Sequence, residues 1–330
     1  MKRLRKGDQI GVFSPSSPAT VTAEPRFNRA KQFLKEKGFQ VIDGQLTEKQ
    51  DGYRSGSPKE RAEELNQLIR NPSIKMIMSA IGGTNSNSIL PYIDYESFQS
   101  NPKLVTGYSD ATAILLALYA KTGVPTFYGP ALIPSFGEFE PFVDKTYHYF
   151  EQFFVTKQQI PYAIEMPVLW TEDHANWLEK SREKHIQQNK WKTVNPGVAE
   201  GRLMGGNLNA MYGFIGTPYM PAIQKGDILL IEDSQKSAAT VEKNFAMLKN
   251  HGIFDLVSGI LLGKHERFDD METGKKPYEI LTEIMDDRSI PILAEFDSCH
   301  THPMIPMPIG KKVRVDTASQ TVVIMENWLV

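Results

Sequence analysis

The sequence predicts an α/β protein whose strands pair mostly in parallel. Runs such as "IKMIMSAIGG" and "KLVTGYS" are continuously apolar and end in small residues, as strands buried on both faces do. Helical patterns alternate with such runs at short intervals in both halves of the chain, as crossover-connected sheets require. The chain has 330 residues; at roughly 100–200 residues per domain, two domains are expected rather than one.

The elements follow in order. "QIGVFSPSS" reads as a strand running into a Ser/Pro loop, "EPRFNRAKQFLKEKG" as an amphipathic helix stopped at Gly38, and "FQVIDG" as a second strand. "SPKERAEELNQLIRNP" is a helix capped by Ser57, with Pro58 in its first turn and Asn71-Pro72 at its end. "PTFYGP" is a further strand. Residues 140–200 break this rhythm: aromatic residues, Pro161, Pro167 and the charged run "LEKSREKHIQQNKWK" suggest a helical excursion and a linker. The alternation resumes near Gly201 with strands "DILLIEDS", "VSGILLGK" and "IPILAEF" and helices "ATVEKNFAMLKNHG" and "PYEILTEIMDDRS". "KKVRVDTASQTVVIME" closes the chain as two antiparallel strands about a polar turn. The expected division is an N-terminal domain over 1–160, the excursion over 161–198 and a C-terminal domain over 199–330.

Composition narrows the classes. The formal charge of −2 arises from interspersed acids and bases, which leaves no footprint for nucleic acid or an anionic membrane. Cys299 is the single cysteine, so no intrachain disulfide forms and a reducing compartment is indicated. The basic N-terminus lacks an apolar stretch of signal-peptide length, and no run approaches a membrane span. A cytoplasmic protein is expected.

Four segments carry chemistry. In "GYSDATAILLALYAKTG" an apolar strand gives way to an apolar helix at Ser109. That junction is the carboxyl end of the sheet, where ligands of open α/β sheets bind, and the helix aims its free N–H groups at it. Ser109 is either a nucleophile, with Asp110 N–H as a donor to an oxyanion, or a plain helix cap. Gly82-Gly83 in "SAIGGTNSNSIL" either lets the backbone approach a ligand or makes a tight turn. Neither a Walker A lysine nor a dinucleotide-binding spacing accompanies these glycines. In "DILLIEDSQK", Glu232 abuts four apolar residues and needs a partner, whereas Asp233 or Ser234 could cap the next helix. "FDSCHTHPMIPMPIG" offers His300 as a base, His300 with His302 as a metal pair, or Cys299 as a nucleophile. Neighbours in extended chain point opposite ways, which separates Cys299 from His300. The nearby carboxylates are not spaced as a recognisable ligand set, so neither a metal nor an organic cofactor is expected. Ser109, Glu232 and His300 together would make an acyl-transfer triad. A small-ligand binding protein using the same cleft is the alternative class.

The set "IGGTNSNS", "GYSD", "GGNLNAMYGFIGTPY", "LLIEDSQKS" and "CHTHPMIPMPIG" resembles the serine peptidase family of L,D-carboxypeptidases, and within it the branch of microcin C self-immunity proteins. The likeness runs from "GDQIGVFSPSSP" to "PIGKKVRVD". It implies an N-terminal flavodoxin-like domain bearing the nucleophile, a smaller C-terminal α/β domain bearing Glu and His, and an active site at their interface. Carried over by motif, Ser109, Glu232 and His300 are the triad, and the N–H groups of Gly83 and Asp110 form the oxyanion hole. Cys299 stands where relatives commonly have glycine. The resemblance further implies a homodimer acting on a small molecule: an aminoacyl- or peptidyl-nucleotide amide, or else a murein tetrapeptide losing its terminal D-alanine. Trp170 and Trp177 would stack on the nucleobase or merely anchor the excursion, while Asn209 and Lys236 match substrate-contacting positions.

Overall fold

The computed structural model describes every residue except Asn176, Asp287 and Val330. Five strands, β1 (Gln9–Phe13), β2 (Gln40–Ile42), β3 (Ile74–Ser79), β4 (Leu104–Gly107) and β5 (Thr126–Tyr128), lie parallel in the order β2-β1-β3-β4-β5. This is the flavodoxin order, with its switch point between β1 and β3. The crossover helix Pro58–Arg70 begins as the sequence predicts, capped by Ser57 with Pro58 in the first turn, and Glu60 completes a reciprocal capping box. The helix Thr112–Thr122 is buried from Thr112 through Leu118, which explains its lack of a polar face, and ends at Gly123 in the left-handed region at φ 70°.

Among its described residues the excursion is not helical. After the helix Phe142–Phe154 they form short strands, β6 (Tyr162–Ala163), β7 (Leu169–Trp170), β8 (Gln187–Gln188) and β9 (Lys192–Asn195). Its charged run has helix-forming residues but no apolar face to bury. Asp173 instead staples the segment into a turn by accepting from the N–H groups of Ala175 (2.8 Å) and His185 (2.9 Å) and from Arg182 (2.6 Å). Such side-chain bonds to backbone compete directly with helix.

A second sheet takes in β10 (Val198–Asn207), β11 (Ile228–Glu232), β12 (Gly259–Gly263), β13 (Ile292–Phe296), β15 (Lys312–Asp316) and β16 (Thr321–Ile324), in the order β6-β16-β15-β10-β11-β12-β13-β9. β10 does two jobs. Its first half pairs antiparallel with β15 and its second half parallel with β11. The closing antiparallel pair expected from the sequence is β15 with β16. Between β13 and β15, β14 (Met307–Ile309) leaves this sheet and pairs antiparallel with β5 of the first. Neither sheet is therefore drawn from one continuous stretch of chain, and the segment between β13 and β14 bridges the two.

Glycine allows the closest packing in β10. Gly205 has φ 121°, and a Cβ there would lie 2.0 Å from the carbonyl oxygen of Leu230. Backbone cannot yield as a side chain can, so Gly205→Ala should cost about 2–4 kcal/mol of stability. The urea midpoint of unfolding measures this, and a native-like midpoint would contradict the packing described.

Candidate active site

β4 ends at Gly107, and Ser109 opens a short 3₁₀ turn (Ser109–Ala111) that feeds the helix Thr112–Thr122. Ser109 lies in the left-handed region at φ 59°, a conformation that costs a non-glycine residue about 1–3 kcal/mol. It does not cap: neither the turn nor the helix carries a side-chain cap. Its N–H donates to Tyr128 Oη at 3.2 Å and its carbonyl accepts from Thr112 Oγ1 at 2.6 Å. The backbone is thus held on both sides while the side chain lines a cleft. A strained serine at a strand-to-helix turn is the arrangement that exposes a nucleophilic hydroxyl.

Across the cleft, β11 ends in Glu232, fully buried. The partner that this charge demands is threefold. Glu232 Oε2 accepts from His300 Nδ1 at 2.6 Å, and Oε1 accepts from Tyr128 Oη at 2.5 Å and from Asn207 Nδ2 at 3.0 Å. Burial alone would raise the Glu232 pKa; the charge and hydrogen bond of His300, with Tyr128 and Asn207, hold it below the usual carboxylate value. An ionised carboxylate only accepts, so Nδ1 of His300 carries a proton and Nε2 is the nitrogen left to act as a base. Burial would lower the His300 pKa, but Glu232 raises it above the ordinary 6.5. The ring also meets Tyr108 edge-on at 4.8 Å.

The glycine pair lies beside the serine. A Cβ on Gly82 would stand 2.9 Å from Ser109 Oγ and 3.1 Å from Asp110 N; leaving that space open admits a reacting group next to both atoms. Gly83, at φ 151°, packs against Ser16, where a Cβ would come within 2.2 Å of Oγ. Asp110 Oδ2 accepts from Ser86 N–H at 2.9 Å and its carbonyl from the Ser86 hydroxyl, which ties Asp110 to the segment after the glycine pair.

The cleft, about 470 Å³, is lined by Gly83, Ser109, Trp177, Asn209, Lys236 and His300 among others. Trp170 is elsewhere: its ring lies under Lys264 Nζ at 5.1 Å, and Lys264 pairs with buried Asp297. The two histidines part company. His300 turns to Glu232, while His302 Nε2 lies 3.7 Å from Glu138; among the described residues no group of three or more His, Cys, Asp or Glu side chains is placed to hold a metal ion. Cys299 is buried against Thr301, and burial pushes its thiol up to about 12, far from a reactive thiolate. Nor do Asp233 and Ser234 cap the next helix, which begins at Ala238 after Ser237. Asp233 is buried beside Glu232, and both effects push its carboxyl up to about 6.

Sequence reasoning missed Tyr128 and Asn207. The signal for Tyr128 was its place at the end of "PTFYGP": β5 pairs Tyr128 with Gly107, two residues from Ser109. Asn207 likewise ends β10 opposite Glu232. Also missed was the strap formed by the excursion, where His174 Nε2 meets Glu266 at 2.5 Å and Glu172 accepts from Arg267 N–H at 2.7 Å.

A flavodoxin-like domain and a second α/β domain meeting at such a cleft define a hydrolase of the serine-peptidase type. The chain belongs to the LD-carboxypeptidase family, whose N-terminal domain matches residues 10–129 and whose C-terminal domain matches residues 200–315. It is 51% identical to the microcin C7 self-immunity protein MccF of Escherichia coli over 328 residues, covering 99% of this chain and 95% of that one. A putative carboxypeptidase of Vibrio cholerae is likewise 51% identical over 328 residues, 99% of this chain and 98% of its own. The solved apo structure of the self-immunity protein MccF superposes with a TM-score of 0.98 at 51% identity, covering 100% of this chain and 99% of that one.

The His300–Glu232 pair has a signature in solution. Glu232→Gln removes the charge that raises the imidazole and leaves the burial that lowers it. By NMR of histidine-labelled protein, His300 should titrate above 6.5 in the native chain and at a lower pH in the variant. An unmoved midpoint would refute the pairing.

Proposed function

We propose that this protein is a serine hydrolase that cleaves the amide joining an aminoacyl or peptidyl group to a nucleotide, an immunity or detoxification activity. The observation that carries the reading is one connected chain of bonds, from Ser109 N–H through Tyr128 and Glu232 to His300, at a cleft that Trp177 also lines. Nε2 of His300 takes the Ser109 proton as Oγ attacks the acyl carbon. The N–H groups of Gly83 and Asp110 stabilise the tetrahedral oxyanion. Collapse breaks the C–N bond, His300 gives its proton to the leaving nitrogen, and an acyl-serine ester remains. Water, deprotonated by the same imidazole, attacks that ester and frees the carboxylic acid and Ser109. Glu232 holds the imidazole and stabilises its cationic form throughout. Ser109 and His300 line the cleft together, and the hydrogen bond between them forms when substrate binds.

Relatives support the substrate class. The self-immunity protein has been solved in complex with aspartyl sulfamoyl adenosine and with glutamyl sulfamoyl guanosine. An active-site mutant of it replaces a serine, an asparagine and a lysine, the last two 27 residues apart; Asn209 and Lys236 have the same separation (236 − 209 = 27). A tryptophan-to-phenylalanine variant was solved with adenosine monophosphate, its tryptophan 68 residues after that serine, and here 177 − 109 = 68. Trp177 rather than Trp170 is therefore assigned to the base. The proposal includes the cytoplasmic homodimer that the family resemblance implies. A second reading, murein tetrapeptide carboxypeptidase, is favoured by a probable murein peptide carboxypeptidase of Bacillus subtilis, 30% identical over 329 residues.

Side-by-side hydrolysis of aspartyl sulfamoyl adenosine and a murein tetrapeptide tests the reading. Ser109→Ala should lower kcat by about 10⁴-fold or more. Trp177→Ala should raise KM for the nucleotide substrate about 5- to 100-fold and leave tetrapeptide cleavage unchanged. Turnover of the tetrapeptide alone would replace the first reading by the second.

A further inference from the structure

We infer that Arg26 is a positioning residue for nucleobase recognition: its buried guanidinium fixes the plane of Trp177 and so sets the face on which the base stacks. The inference rests on the assignment of Trp177 to the base.

Arg26 sits on the helix Glu24–Glu36 and is fully buried. Its Cζ lies 4.0 Å from the centroid of the Trp177 ring. A guanidinium so placed needs its donors satisfied, and four of its five are. Nε donates to Ile133 O at 2.9 Å, Nη2 to Pro134 O at 2.7 Å and to Glu138 at 2.8 Å, and Nη1 to Trp177 O at 3.1 Å. One group thus holds both the backbone and the ring of Trp177. Three residues on, Arg29 donates to Gly137 O at 2.7 Å and to Leu178 O at 2.9 Å, tying the next residue of the same loop to the same helix.

Glu138 locks this assembly. It accepts from Arg26 and from Lys184, both at 2.8 Å, so one carboxylate joins the helix to the far end of the Trp177 loop. Burial works against its ionisation, yet the neighbouring imidazole, guanidinium and ammonium hold it down at about 2. The cluster is also crowded: a Cβ on Gly137 would come within 2.4 Å of Arg26 Cγ. Arg26 covers one side of the ring and the His174 imidazole stacks on it at 6.4 Å with a 30° tilt; the partly exposed remainder of Trp177 lines the cleft. An indole fixed before the ligand arrives loses little entropy on stacking. Lysine cannot substitute, because its point charge satisfies neither the planar fork nor the stacked geometry.

The test combines Arg26→Lys, Trp177→Ala and the double variant in the full chain. Two substrates are compared: aspartyl sulfamoyl adenosine, and methyl N-aspartylsulfamate, which keeps the scissile amide without ribose or base. Arg26→Lys should raise KM for the adenosine substrate about fivefold or more, with kcat nearly unchanged. Hydrolysis of the methyl compound should not change. Adenosine monophosphate, titrated by calorimetry, should bind correspondingly more weakly, and Arg26→Lys should add no further loss to Trp177→Ala. Native-like KM and nucleotide affinity in a folded Arg26→Lys protein overturn the inference, as does a loss that persists undiminished without Trp177. If Arg26→Lys does not fold, Glu138→Gln, which loosens the same guanidinium, should give the same split between KM and kcat, and its absence is equally fatal. Full nucleotide affinity in Trp177→Ala marks the other failure: the base assignment is then wrong, and the inference falls with it.

Discussion

The site depends on one desolvated carboxylate. Stripping water from the Glu232 anion costs several kcal/mol unless hydrogen bonds and an opposite charge replace it. The replacements come from three places: Tyr128 from the first sheet, Asn207 from the neighbouring strand of the second, and His300 from the segment between the sheets. No one of these elements could satisfy Glu232 alone, so the requirement to solvate this charge holds the two domains in register. Tyr128 adds a link by accepting the Ser109 N–H. The strain at Ser109 and the orientation of His300 are maintained by the same buried hydroxyl and carboxylate.

Close backbone approach makes this meeting possible. At the end of β10, a Cβ on Gly206 would press within 2.8 Å of Thr112 Cγ2 and 3.2 Å of the Tyr128 ring, and the next residue, Asn207, donates its N–H to Thr112 Oγ1 at 3.0 Å. The carboxyl end of β10 thus meets the first domain at the helix that follows Ser109. The excursion closes the opposite side, its Trp177 loop held to the first domain by two arginines and to the second by Glu266.

Much of this was legible in the sequence where the cause is local. The continuous apolar runs gave parallel strands, Ser57 followed by Pro58 gave the start of a helix, and a charge abutting four apolar residues announced that Glu232 must have a partner. Who the partners were was not local. Tyr128 lies in an ordinary strand sequence and matters through its register beside Gly107. The excursion misled because charged helix formers resemble a helix whenever the competing bonds of Asp173 are out of view. Trp170 and Trp177 are alike in sequence; packing of its ring under Lys264 places Trp170 away from the cleft. The serine motif itself was ambiguous until its left-handed backbone removed the capping alternative.

The return of β14 to the first sheet has a consequence for biosynthesis. The serine-bearing sheet is fully paired only when residues 307–309 cover the edge of β5, and those residues emerge from the ribosome long after β5 itself. A nascent chain therefore carries Ser109 long before it carries His300, with an open strand edge beside it, a template for mispairing. Until then the proposed nucleophile stands without its proposed base. The interval before β14 pairs is also the stage at which the open edge of β5 most needs protection from its neighbours.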